Sequence, residues 1–203
     1  MIVRLSAALF VFLAFTLTPA NADDAAERYV QIILDEAEPA LAAATQEERL
    51  AGIAALVYTH VDMRRTAMFT LGQYARRITN AQKDAFLPLF REYATLVYQD
   101  ALSEYSGQAL VVTGSVDRSA RDIIVISKVK GAEPGDRFAD LVVQWRVYRN
   151  RDGVMKIVDA GAADIWLAIE QRSQFTSIIA NNGGGEQGMD ALLRELRNRV
   201  KNG

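Results

Sequence analysis

Few residues in this chain could support catalysis. His60 is its single histidine, there is no cysteine, and the 25 acidic residues show no spacing that singles out a pair. A nucleophilic serine needs a general base beside it. Ser103, Ser106 and Ser173 are followed by no triad signature, and His60 is the one imidazole any of them could use. Asp159 and Asp164 are conceivable partners in carboxylate hydrolysis, but their spacing specifies nothing. A zinc site built without thiols and with one histidine would need an unusually carboxylate-heavy ligand set. The stretch "NNGGGEQG" follows a helical pattern and offers no lysine to a phosphate, so it reads as a flexible break. The expectation is a protein with no catalytic residue, no metal and no cofactor.

The segments that must position these side chains change character halfway. Residues 26–44 are helix-like, with Val30, Ile33, Leu34 and Ala37 at i, i+3, i+4 and i+7 and Pro39 as an interruption or kink. Residues 46–58 and 62–72 predict two more helices, the second capped by Asp62. The longest runs from Thr79 or Asn80 to about Tyr105, with Phe86, Leu89, Phe90, Tyr93, Val97 and Ala101 along one side. Pro88 falls in its first turns and predicts a bend there, not a break. Strand-like segments rich in Val and Ile follow at 109–116, 123–129, 138–148 and 154–158, separated by turn formers. No crossover helix lies between them, which predicts an antiparallel sheet. Helices return over 165–180 and 189–200, broken by glycines 183–185. The class is α+β: helices packed on one face of a curved antiparallel sheet.

The first 22 residues stand apart. Arg4 precedes an apolar run over residues 5–17 and a small-residue end, Ala20-Asn21-Ala22. This is the layout of a secretory signal peptide cleaved before Asp23, leaving one domain over 23–203. The apolar run is short for a membrane anchor. Lack of cysteine in an exported chain suits a bacterial periplasm. A net charge of −2 gives no reason to expect nucleic acid as a partner. The strongest remaining signal is apolar: a wide helix face rich in Phe and Tyr, set against a strand in which Val143, Trp145 and Val147 alternate with polar neighbours. A filled core and an open pocket between layers both satisfy that pattern.

Three separated motif blocks carry a family likeness. Arg76, Thr79 and Gln82 are followed by Phe86 and Phe90; then come Tyr98, Ala101, Leu102, Tyr105, Ser106, Gly107 and Gln108; Gln171, Arg172, Ser173 and Phe175 close the set. In this order and spacing the chain resembles the MlaC / toluene-tolerance family of periplasmic phospholipid-binding proteins, over most of residues 27–197. The resemblance implies helices over a curved sheet, a cavity for acyl chains, and no hydrolysis. It also implies partners: an outer-membrane lipoprotein complex and an inner-membrane ABC transporter with a ring-forming lipid-binding subunit. Two departures matter. Met155 stands where the family often has Trp, and "AGAADIW" replaces the usual sequence near the expected pocket mouth. They leave open a related hopanoid-associated branch, with a hopanoid-like lipid as cargo. Within this reading, strand alternation and helix periodicity nominate Phe90, Tyr93, Val97, Val143, Trp145, Val147, Trp166 and Phe175 as pocket residues. Arg76, Arg77, Arg146 and Arg149 are expected on the surface or in docking.

Overall fold

The computed structural model describes residues 23–103, 109–136, 138–163 and 165–202. The leader reading for 1–22, Asp164 and the motif residues Tyr105, Ser106, Gly107 and Gln108 lie outside the described residues. Helix α1 (Asp24–Leu41) starts at Asp23, whose carboxylate accepts from the Ala26 N–H at 2.9 Å. It buries Ala26, Val30, Ile33 and Leu34 as one stripe, and Pro39 sits harmlessly in its last turn. Helix α2 (Gln46–His60) opens with a reciprocal capping box between Thr45 and Glu48. Helix α3 (Met63–Thr70) is capped by Asp62, as its sequence predicts. It ends earlier than the 62–72 pattern suggests, because Gly72 takes a left-handed φ of 53° and starts a separate 3₁₀ helix (Gly72–Arg76). Helix α4 (Asn80–Ser103) continues unbroken past the exposed Pro88.

The strands form one antiparallel sheet in chain order: β1 (Leu110–Ser119), β2 (Asp122–Val129), β3 (Val142–Arg149), β4 (Met155–Ala162) and the short β5 (Ile165–Trp166). β3 starts at Val142 instead of Phe138, since the Leu141 N–H turns back to the Phe138 carbonyl at 3.1 Å. Extra residues at Thr113 in β1 and Val158 in β4 shift the register and bend those strands. Helix α5 (Leu167–Asn181) follows directly, and glycines 183 and 184 with positive φ reverse the chain into α6 (Gly185–Asn202). The last helix begins four residues before its apolar pattern does.

Apolar burial divides into two clusters. Ile123, Val125, Val147 and Ile157 on the inner face of the sheet meet α1 through Val30 and Leu34. The larger cluster joins α2 to α6, with Phe86, Phe90, Tyr93 and Phe175 at its centre. Phe175 meets these three rings at centroid distances of 6.3, 6.2 and 5.7 Å. Edge-on and tilted contacts of this kind add to the burial itself. Thr79 and Gln82 cap α4 reciprocally, and the Gln82 amide also donates to the Glu186 carbonyl at 2.9 Å and to Asp190 at 2.7 Å. The first and third motif blocks therefore hold α4, α5 and α6 together.

Two outcomes follow for stability. Phe175→Ala, which empties the centre of the ring cluster, should cost about 3–5 kcal/mol in urea unfolding; a loss under about 1 kcal/mol would show that the cluster is not the keystone of the helical layer. Asp122 accepts both Nε and Nη2 of Arg146 at 2.8 Å, and that bond holds its carboxyl below the usual carboxylate range against the opposing pull of burial. A carboxylate lowered on folding stabilises the fold above about pH 3.9 and loses that contribution as the pH falls below it. Asp122→Asn should thus lower stability at neutral pH by about 1 kcal/mol, the partial exposure of the pair taken into account. The gap from the parent should narrow as unfolding is repeated below about pH 4. An equal gap at every pH would contradict this role.

Candidate functional site

Helices α1 and α2 are fixed to the sheet at separate places, and part of the space beneath them stays open. The start of α1 is tied down by Arg149 to Asp23 at 2.7 Å and by the Asp23 N–H to Ser115 Oγ at 2.9 Å. Ser115 in turn donates to Glu27 at 2.7 Å. Next to the bulge at Thr113, the Val112 N–H is taken up by the Gln31 side chain at 2.9 Å. The end of α2 is fixed at the other bulge. Asp62 N–H donates to the Ile157 carbonyl at 2.8 Å, and Thr66 Oγ1 donates to Val158 at 3.0 Å. The two helices also hold each other: His60 Nε2 lies 2.8 Å from Glu36, and a Cβ on Gly52 would stand 2.6 Å from that of Ala40. The pair therefore arches over the inner face of the sheet and encloses a cavity of about 490 Å³.

Its walls are apolar. Ile33, Leu34 and Leu41 come from α1, Ile53, Leu56 and Val57 from α2, and Tyr98 and Ala101 from α4. Val143, Trp145, Ile157 and Ala160 form the sheet side, while Phe138, Leu141, Ile165 and Leu167 edge the far end. Residue size explains the room: Ala162 and Ala160 stand opposite Val143 and Trp145, where larger side chains would fill the space. Ala160, Gly161, Ala162 and Ile165 belong to the segment that departs from the family pattern.

Among the described residues no lysine or arginine lines this cavity; the polar side chains are Glu38, His60 and Tyr98. A cation there would be costly unless paired. His60 is turned toward Glu36. Trp145 spends its ring N–H on Ser127 Oγ at 2.9 Å, so it presents a plain aromatic face to the cavity. Burial, and after it the negative charge of Asp159, pushes the Tyr98 hydroxyl well above its ordinary range, so it stays protonated and can donate. Asp159 is 1% exposed and caps α5 from a distance, accepting from the Ala168 and Ala160 N–H groups at 2.9 Å each. Burial raises its carboxyl above the usual range, and its second oxygen has no hydrogen-bond partner among the described residues.

This arrangement suits holding apolar matter. His60 engages Glu36, and Ser173 is exposed on α5, so these two make no nucleophile–base pair. Among the described residues no group of three His, Cys, Asp or Glu could hold a metal ion, and no helix is long and apolar enough to cross a membrane.

The eight nominated pocket residues are distributed over four places. Val143 and Trp145 line the cavity. Phe90, Tyr93 and Phe175 pack into the ring cluster of the helical layer, with Val97 against its edge. Val147 is fully buried beneath α1. Trp166 lies against Gly161, where an added Cβ would come within 2.9 Å of its ring. Helix periodicity marked the apolar faces but could not say which of them meet another helix and which meet empty space. The cavity side chains of α1 and α2 had a signal only in their small neighbours on β4.

Ala160→Phe should fill the space beside Trp145. The variant should unfold as cooperatively as its parent but lose most of its binding of an apolar fluorescent probe. Undiminished probe binding would place the probe outside this cavity.

A solved phospholipid-binding protein from Ralstonia solanacearum, in complex with a phospholipid, is similar in fold. It has 21% sequence identity and a TM-score of 0.69, with 87% of this chain and 97% of that chain covered. Residues 24–198 match the family model described as MlaC protein. The chain therefore belongs to the MlaC family, the non-catalytic, lipid-carrying family that its motif blocks resemble.

Proposed function

We propose that this protein is a periplasmic carrier of phospholipid that serves an Mla-type ABC transport system. The observation that carries the reading is the apolar cavity beneath α1 and α2. Apolar walls left facing water are unfavourable, and an apolar occupant removes that exposure. Family membership and the fold shared with a phospholipid-bound protein support acyl chains as that occupant. Val143 and Trp145 would contact them, together with the α1 and α2 wall.

The energetics also set the limits of such a carrier. Two acyl chains with about 30 methylenes gain on the order of 24 kcal/mol over water, at about 0.8 kcal/mol each. Taken from a bilayer, the same chains exchange one apolar surrounding for another, and that gain nearly vanishes. The cavity explains retention in an aqueous compartment but sets no direction. Direction comes from partners that bind the loaded and empty forms differently: an outer-membrane lipoprotein complex on one side, the inner-membrane transporter with its lipid-binding ring on the other. Export by the leader over residues 1–22 would deliver a lipid-binding domain of residues 23–203 to the periplasm.

Organic extraction of the purified protein followed by mass spectrometry should recover glycerophospholipid. Val143→Glu should lower the recovered amount several-fold while the protein stays folded. A triterpenoid in the extract would instead assign the chain to the hopanoid-associated branch. No extractable lipid, with no uptake from vesicles, would overturn the carrier reading.

A further inference from the structure

The chain has a net charge of −2, yet one corner of it is strongly basic. Residues 63–83 contain Arg64, Arg65, Arg76, Arg77 and Lys83 and no acidic residue; residues 171–185 add Arg172 and again no acid. The fold brings these segments together. A Cβ on Gly72 would sit 3.0 Å from Thr176 Cγ2 and 3.1 Å from Arg172 Nε, so this side of α5 faces the 3₁₀ helix. That helix has five residues and spans only about 10 Å, which keeps Arg76 and Arg77 in the same neighbourhood. The Arg172 guanidinium lies 4.9 Å from the Phe69 ring centre. Arg65, one turn before Phe69, stacks 3.6 Å over Tyr148. Asp62, Asp84, Glu170 and Asp190 border the corner; Asp62 is paired with Arg65 at 3.5 Å, and Asp190 accepts from Gln82 at 2.7 Å. Arg64, Arg76, Arg77 and Arg172 have no carboxylate partner among the described residues.

An apolar edge connects this corner to the cavity. Ile169 and Arg172, three residues apart, share one side of α5, next to the buried Ala168, Gln171 and Phe175. Ile169 is 51% exposed; Ile165, just before the helix, is 60% exposed and lines the cavity. From cavity to corner the surface runs from Ile165 through Ile169 to Arg172 and the arginines beyond it. Bare aliphatic side chains bordered by cations match the boundary of an anionic bilayer, with phosphates outside and hydrocarbon just beneath. An acidic protein surface would answer the arginines and leave the isoleucines unmatched.

We propose that this corner docks the protein directly on an anionic lipid bilayer, with the Ile165 edge of the cavity turned toward the membrane. The inference rests on the carrier reading for its purpose, while the docking is measurable with or without cargo. It would let lipid pass between membrane and cavity with little exposure to water.

The test is flotation of the purified protein with vesicles of phosphatidylglycerol and phosphatidylcholine, compared with phosphatidylcholine alone. Binding should require the anionic lipid and be reversed by high salt, since screening weakens exposed charge contacts. Arg76→Glu combined with Arg77→Glu should weaken it by about thirty-fold or more, at roughly five-fold per lost basic contact. Ile169→Ser should weaken it without changing the salt dependence. Both variants should retain the parent's extractable lipid. Equal binding to both vesicle types, or no binding to either, would overturn the docking proposal, and neither result depends on how a variant folds. Parent-like binding by the charge-reversed variant would overturn it as well. Lipid in the extract without vesicle docking defeats this inference alone; docking without extractable or transferable lipid defeats the carrier reading alone.

Discussion

The contact between Phe175 and the rings of Phe86, Phe90 and Tyr93 is the constraint on which the rest of the molecule depends. It holds α5 against α4 without relying on the sheet. Because α5 follows β5 immediately and is capped by Asp159 of β4, locking α5 also positions the β4 edge. The ring cluster is closely packed and can carry stability itself. The open part of the space under α1 and α2 is consequently free of the duty to be a core. A protein that binds long apolar chains needs this division, because walls that depended on cargo for their shape would collapse on release.

The open half is maintained by polar fastenings at its rim. Arg149 and Asp23 hold one end of α1, and the Asp62 and Thr66 bonds hold the end of α2 at the Val158 bulge. Bulges are otherwise interruptions in a ladder. Here the irregular strand backbone lies where Gln31 and Thr66 from the helices bond to it. The cavity is thereby framed by directional bonds and lined mostly by aliphatic side chains that make none. Trp145 follows the same logic, its one donor satisfied by Ser127 and its ring left for packing.

Arginine is kept outside that frame. Among the described residues none lines the cavity, and the arginines of α3, the 3₁₀ helix and α5 gather on an outer corner instead. The proposed carrier separates two tasks that differ in physics: retention by non-directional apolar burial, and docking by long-range, salt-sensitive attraction.

The α+β class, the order of the helices and strands and the antiparallel sheet were all legible in the sequence, because each rests on local rules. Apolar residues three and four apart, capping residues such as Asp62 and Thr79, and Val- and Ile-rich runs between turn formers act within a few residues of themselves. Element ends were less legible where backbone geometry decided, as at Gly72, and the motif blocks carried the family more clearly than any single side chain. Which apolar residues face the cavity was decided only by the tertiary structure. Phe175 and Trp145 are equally apolar in a linear reading, yet one closes a ring cluster and the other borders open space. Period and composition report that a face is apolar. Whether it meets a neighbour depends on how far two anchored helices stand from a bent sheet, and on the small residues Ala160 and Ala162 opposite Trp145 and Val143.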